Sequence, residues 1–144
     1  MNIEVITHDG PFHADEVFGV AILDMHYQTV PVVHRTRDPL QWAQVREYAH
    51  KRGVPVFMLD VGRECRPEEG LFDHHQPEGA GARPNGIPYA TAGLLWRSYG
   101  TIIMRRMGAR NPEAAALAVD TKLFAAIDAD EDYDITEGWV EPTP

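Results

Sequence analysis

Cysteine, lysine and long apolar runs are all scarce in this chain of 144 residues. Cys65 is the only cysteine, so no disulfide can form within the chain, and this favours a reducing, cytoplasmic setting. No apolar run approaches the roughly 18 residues that a membrane-spanning helix needs. The N-terminus also lacks the basic and apolar regions of a secretory signal. We therefore expect a cytoplasmic protein without a membrane partner.

Basic residues are scarce as well, with 13 lysines and arginines against 22 acidic residues and a formal net charge of −9. Passive binding of a nucleic-acid backbone normally requires a basic face. The charge therefore argues against a module that only holds nucleic acid. Two divalent cations would offset about four of the negative charges locally, so the composition is compatible with a metalloenzyme.

Strand and helix patterns alternate along the chain. Apolar and β-branched runs predict strands over residues 3–6, 29–34, 54–59 and 70–72, and helical spacing predicts helices over 14–26, 40–52, 89–107 and from 111 to about 128. This order predicts an α/β fold with a mainly parallel sheet. We expect one domain over residues 1–132, a long Gly- and Pro-rich loop over 76–88, and an acidic, Pro-containing tail over 133–144.

Three polar clusters follow predicted strands, where ligands of parallel sheets bind. The first is His8-x4-His13-x-Asp15, in a loop and the first turn of a helix. Imidazole with carboxylate is the ligand mixture of Mn, Fe, Co or Zn. A histidine-bearing turn with a capping aspartate explains this cluster about equally well.

The other two clusters are Asp60, at the end of a buried strand, and the triplet Asp73-His74-His75. Asp60 alone reads more simply as the cap of the next turn. In the triplet, neighbouring side chains of an extended segment point in opposite directions. His74 can then ligate a metal while His75 faces substrate, and Asp73 can orient a ring. Taken together, the three clusters favour a metal site.

Two metals about 3.5–4 Å apart can activate water and hold the oxygens of a phosphoryl group. In such a site Asp60 would bridge the ions, and His75 would contact phosphate or protonate the leaving oxygen. Arg35 and Arg37 follow the second predicted strand and could neutralise substrate charge. Surface ion pairs with Asp38 or another acid are an equally good reading of these two arginines.

These residues resemble the DHH phosphoesterase superfamily, named for a triplet seen here as Asp73-His74-His75. The likeness is greatest to its MYG-type branch (melanocyte proliferating gene). The matching segments are Thr7-His8-Asp9-Gly10-Pro11-Phe12-His13-Ala14-Asp15-Glu16, Arg35-Thr36-Arg37-Asp38, Leu59-Asp60-Val61-Gly62, Phe72-Asp73-His74-His75-Gln76, Asn85-Gly86-Ile87 and the helix beginning at Tyr89. The resemblance therefore extends over nearly the whole chain.

The resemblance implies a doubly wound N-terminal domain with two Mn- or Mg-type sites, and Co or Fe is an alternative. The metal ligands that it implies are His8, His13, Asp15, the bridging Asp60, His74 and a late aspartate. Asp128 is the best match for the last of these, with Asp130 as the alternative. His75 and Asp60 would be the catalytic residues. The implied substrates are nucleotides or short oligonucleotides.

The chain departs from the family pattern in two places. The family's Asp-Asn-Gly stands here as Asp130-Glu131-Asp132, and the sequence given ends at Pro144, before the second domain that closes over substrate in relatives. We expect a homodimer or a partner protein to supply that cover, unless the site is open. The alternative function is a catalytically silent metal-binding domain that acts by binding a nucleotide or a protein.

Overall fold

The computed structural model describes the backbone of residues 2–136 and the side chains as far as Glu131. Its strands and helices alternate as the sequence predicts. The strands are β1 (Glu4–Thr7), β2 (Val32–Arg35), β3 (Val56–Leu59), β4 (Cys65–Arg66) and β5 (Leu71–Phe72). The helices are α1 (Ala14–Tyr27), α2 (Pro39–Lys51), α3 (Thr91–Arg106), α4 (Pro112–Val119) and α5 (Ala125–Thr136).

The five strands form one sheet in the order β2-β1-β3-β5-β4. β1 pairs in parallel with both β2 and β3, and β3 pairs in parallel with β5. Only the two-residue strand β4 is antiparallel, as the outer arm of a hairpin with β5. The chain therefore has the expected α/β fold with a mainly parallel sheet flanked by helices.

Alternate residues of the central strands point to opposite faces of the sheet. Val5 and Leu59 belong to the larger apolar core, which includes residues of α1 and α3. Ile6 and Met58 belong to a smaller core with Trp42 of α2. Because both faces are covered, β3 is wholly apolar, as parallel strands often are, whereas β1 has Glu4 and Thr7 at its two ends. Among the described residues, no helix is long and apolar enough to cross a membrane.

The C-terminal helices differ from the predicted single helix that ends near residue 128. A π-helical turn, Asp120–Phe124, separates α4 from α5, and α5 continues to Thr136. The acidic composition after Asp128 suggested a loose tail, but Phe124 and Ala125 anchor this stretch in the core. The predicted tail over 133–144 thus begins inside the backbone of α5, and residues 137–144 lie outside the described part of the chain.

Candidate metal centre

The polar clusters meet at one edge of the sheet because the three strands that precede them are parallel. His8 directly follows β1, Asp60 follows β3 and Asp73 follows β5. The carboxyl ends of parallel strands share an edge, so segments distant in sequence become neighbours there. Asp60 has a left-handed backbone conformation, with φ of 62°, which aspartate tolerates better than most residues.

Asp60 stands between two histidines. Its Oδ2 lies 3.2 Å from Nε2 of His8, and its Oδ1 lies 3.2 Å from Nε2 of His74. All three side chains are almost fully buried. Each oxygen of one carboxylate therefore faces a different imidazole, which is the arrangement required of a ligand that bridges two ions.

On the His8 side of Asp60, four side chains form a group that could hold a metal ion. The donor atoms of His8, His13, Glu16 and Asp60 all lie within 4.8 Å of one another. Nε2 of His8 and Oε2 of Glu16 are 3.2 Å apart and buried, yet neither makes a hydrogen bond in the structure. Two buried polar atoms this close without a well-formed hydrogen bond are costly, and a shared cation would satisfy both. The donor set therefore fits a divalent ion.

On the His74 side, Asp15, His74 and Glu131 form a second group within the same 4.8 Å limit. Oδ2 of Asp15 lies 3.3 Å from Nε2 of His74, and all three residues are buried. Asp60, Asp73, His74 and His75 form a further overlapping group. These neighbouring groups could each hold a metal ion, and Asp60 contacts a histidine on either side.

His75 differs from His74 in its exposure and in its partner. Its side chain is 40% exposed, and its Nδ1 lies 2.6 Å from Oδ1 of Asp73. Asp73 also accepts hydrogen bonds from the backbone N–H groups of Arg63 and His74, which fix its carboxylate. Asp73 therefore orients the ring of His75 towards the solvent-accessible side of the cluster.

The carboxylates and histidines strongly perturb one another. The carboxylates of Asp60 and Glu16 raise the pKa of His8 to about 10, against the effect of burial. Burial lowers the pKa of His74, but Asp15 and Asp60 outweigh it and raise that pKa to about 10 as well. In return, although burial opposes its ionisation, His74 and His8 lower the pKa of Asp60. Protons thus occupy these histidines in the metal-free protein near neutral pH.

Asp15 has a structural role besides its place in the metal cluster. Its carboxylate accepts hydrogen bonds from the backbone N–H groups of Thr91 and Ala92 in the first turn of α3. The residue before this helix is Ala90, which has no capping side chain. Asp15 therefore caps α3 from α1, and the N-terminus of α3 fixes the position of this carboxylate.

Asp128, the late aspartate in the ligand set that the resemblance implies, belongs to none of these groups among the described residues, although it lies close enough to Asp15 for the two carboxylates to repel each other. Oδ2 of Asp128 accepts a hydrogen bond from Nη2 of Arg83 at 2.8 Å, and Oδ1 accepts one from the backbone N–H of Gly93. Burial raises the pKa of Asp128 to about 6, although Arg83 favours its ionised form. The carboxylate that reaches Asp15 and His74 belongs to Glu131, three residues later on α5. Asp130, the other candidate, is exposed and belongs to none of these groups.

Arg35 and Arg37 reach the loop between His8 and His13. Arg35 donates to the carbonyl of Gly10 at 2.7 Å, and its guanidinium lies 3.9 Å from the centre of the Phe12 ring. Arg37 donates to both the carbonyl and the carboxylate of Asp9. Both arginines therefore hold the loop that carries the first two histidines. Arg37 also lines the cleft above the metal groups, so it remains within reach of a substrate.

That cleft has a volume of about 370 Å³ and opens to solvent. His8, His13, Asp60 and His75 line its floor and walls, together with Arg63.

Sequence reasoning missed Glu16, Glu131 and Arg63. Glu16 stood next to Asp15 at the helix start, Glu131 lay in the Asp130-Glu131-Asp132 segment, where only Asp130 was considered as a ligand, and Arg63 lay in no recognised motif. The Asp-Glu pair after His13 was the one signal that pointed to Glu16.

Comparisons with known proteins agree with the motifs. Residues 4–137 match the MYG1 exonuclease family model, described as an uncharacterised protein family, UPF0160. The MYG1 exonuclease of Rattus norvegicus is 28% identical over 82% of this chain and 31% of its own length. The MYG1 exonuclease of Homo sapiens is 31% identical over 70% of this chain and 26% of its own.

A MYG1 protein of Chlamydia trachomatis is 40% identical over 62% of this chain and 26% of its own. The chain thus spans less than a third of the length of these relatives. No solved structure matches.

Proposed function

Because the chain belongs to the MYG1 exonuclease family (UPF0160), we propose that it is a metal-dependent phosphoesterase that hydrolyses phosphodiester bonds of nucleotides or short oligonucleotides. Two divalent cations would serve the reaction, with Mn the best fit to the mixed imidazole and carboxylate donors. The proposal includes a DHH-type placement of the domain and a cytoplasmic location, for which the single unpaired Cys65 is the support.

One observation carries the proposal: the two oxygens of Asp60 face two different histidines, His8 and His74, at 3.2 Å each. A single structural ion would not need a shared carboxylate with a separate donor group on each side. His13 and Glu16 would complete the first site, and Asp15 and Glu131 the second. When bound, such a pair of ions supplies an activated water and neutralises charge on the phosphoryl oxygens.

The chain's own residues would hold the substrate and move a proton. His75 stands at the cleft with its Nδ1 held by Asp73, which leaves Nε2 to donate a proton to the leaving oxygen. Arg37 and Arg63 line the same cleft and would neutralise phosphate charge. The residues on the two sides of Asp60 would thus hold metal, and His75 and the arginines would face substrate.

The test is Mn-dependent hydrolysis of a chromogenic phosphodiester, followed by a screen of short RNA, short DNA, dinucleotides and pyrophosphate. We expect Asp60→Asn to lose metal binding and His75→Ala to lose turnover while metal binding is retained. Glu47→Gln and His50→Ala, two exposed changes on α2, are the matched controls. Full activity in both site variants would refute the mechanism, and hydrolysis of none of the substrates would refute the function.

A further inference from the structure

Three clefts are linked in succession by two arginines, each of which lines two of them. Arg63 lines both the metal cleft and a second cleft of about 580 Å³. Arg97 of α3 lines the second cleft and also a third, of about 180 Å³, between α3 and α4. The second cleft lies between the β4 hairpin and the loop that follows His75. We call this succession of three clefts the arginine track.

We propose that the arginine track binds a single-stranded oligonucleotide, whose chain runs from the metal cleft past Arg63 to Arg97. This inference rests on the proposed function for the identity of the metal cleft, and it adds where the substrate lies beyond the scissile bond. A metal cleft of about 370 Å³ holds only the reacting part of an oligonucleotide. The rest of the chain needs a surface with cations for its phosphates and flat groups for its bases.

The two shared arginines are available to a polyanion although the whole chain carries −9. Both shared arginines are exposed, and within the described part of the chain neither has an ion pair with a carboxylate. Most acids in the track are already engaged. Glu64 pairs with Arg66 and Asp120 with Arg83, so they do not neutralise the shared arginines.

Two acids at the edges of the track need separate mention. Glu113 lines the third cleft and lies 3.8 Å from Arg105, which is not among the residues that line that cleft. Glu78, at the rim of the second cleft, is exposed and is the one acid of the track without an ion pair among the described residues. The carboxylates that line the track thus leave Arg63 and Arg97 without an ion pair among the described residues, and these two guanidinium groups can contact phosphates.

An aromatic ring and an amide add to the guanidinium groups. The guanidinium groups of Arg83 and Arg97 lie 4.3 and 4.5 Å from the centre of the half-buried ring of Tyr89. Tyr89 thereby fixes Arg97 against the third cleft, where the exposed, planar guanidinium offers a surface for a base to stack on. In the second cleft, Oε1 of Gln76 is buried without a hydrogen-bond partner. This acceptor suits a base amino group or a ribose hydroxyl.

The test is fluorescence anisotropy with phosphorothioate-linked single strands of two, four, six and eight nucleotides and added Mn²⁺. We expect the affinity of the unaltered protein to increase from the dimer to the longer strands. Arg97→Gln should weaken binding of the octamer about fivefold and remove most of the gain with length. It should also reduce the slope of log affinity against log salt by about 0.7 for the lost phosphate contact. Arg46→Gln, an equal charge change at an exposed site on α2, is the control.

The outcomes separate this inference from the proposed function. Affinity that does not depend on length, equal effects of Arg97→Gln and Arg46→Gln, or preference for a duplex would each overturn the track. If a dinucleotide is still hydrolysed in that case, the proposed function stands without it. If nothing is hydrolysed but Arg97→Gln removes the gain with length, the track stands as a nucleic-acid surface and the proposed reaction is wrong.

Discussion

The guanidinium of Arg83 donates from Nη2 to Oδ2 of Asp128 at 2.8 Å, and both side chains are buried. Arg83 comes from the loop after the His75 segment and also makes two hydrogen bonds to Asp120 at the start of the π-helical turn. The contact between Arg83 and Asp128 therefore holds this loop against the C-terminal helices. Asp128 thus stabilises the site through its contact with Arg83, whereas Glu131, on the same helix, belongs to the group with Asp15 and His74.

Asp128→Asn and Glu131→Gln should therefore have different effects. Loss of the Asp128 charge weakens a buried contact with Arg83, so we expect the free energy of unfolding to fall by about 2 kcal/mol with both metal ions still bound. Glu131→Gln removes the charged metal ligand that Glu131 would add to Asp15 and His74, so the affinity for one ion should fall at least about tenfold. Calorimetric titration with Mn²⁺ and urea unfolding of both variants measure this. Loss of an ion in Asp128→Asn alone would contradict the assignment.

Metal affinity should increase with pH, because protons and metal compete for His8 and His74. The pKa of each is raised to about 10 in the metal-free fold, from an ordinary value of about 6.5. Their stabilising effect is fully present below pH 6.5 and is lost as the pH rises through about 10. The melting temperature of chelated protein should thus fall between pH 7 and 10, while Mn²⁺ should raise it more at the higher pH.

Scanning calorimetry from pH 6 to 10, with chelator and with Mn²⁺, measures both trends. Asp60→Asn is the informative comparison, because Asp60 is the one carboxylate that contacts both histidines, and the chelated variant should show a flatter pH profile. A chelated wild-type protein that becomes more stable between pH 7 and 10 would contradict the protonated histidines.

Arg35 and Arg37 should separate metal binding from substrate binding. Arg35 holds the carbonyl of Gly10 and stacks on Phe12, so Arg35→Gln should loosen the loop of His8 and His13. We expect Mn²⁺ affinity to fall about fivefold, the effect of losing roughly 1 kcal/mol of hydrogen bonding. Arg37→Gln should mainly raise KM, because Arg37 lines the cleft and its ion pair with Asp9 is exposed. Unchanged Mn²⁺ affinity with a raised KM in Arg35→Gln would instead make Arg35 a phosphate contact.

Gly93→Ala should destabilise the protein, although alanine is ordinarily the better helix residue by about 1 kcal/mol. A Cβ at this position would overlap Oδ2 of Asp128 and approach Nη2 of Arg83 at 2.5 Å. We expect a loss of about 1–3 kcal/mol in urea unfolding. In the double variant with Asp128→Ala the two losses should be less than additive, because the overlapping atoms are gone. Strictly additive losses would show that the overlap with Asp128 is not what destabilises Gly93→Ala.

The sequence determined the fold class and the positions of the polar clusters after the strands, because both depend on local patterns. Apolar strands alternating with amphipathic helices specify a parallel sheet, and polar residues at strand ends must then share an edge. This reasoning predicted that His8, Asp60 and the Asp73-His74-His75 triplet follow strands, and in the structure they follow β1, β3 and β5. It missed β4 because two residues, Cys65 and Arg66, carry no periodicity.

Only the tertiary structure decided which acids approach the histidines. Asp128 and Glu131 lie one turn apart on α5. Asp128 pairs with Arg83, which is 45 residues away in sequence, and Glu131 lies near Asp15 and His74. No pattern in the sequence indicates this division. Such choices depend on distances between elements that are far apart in sequence, and those distances exist only once the apolar core has fixed the helices against the sheet.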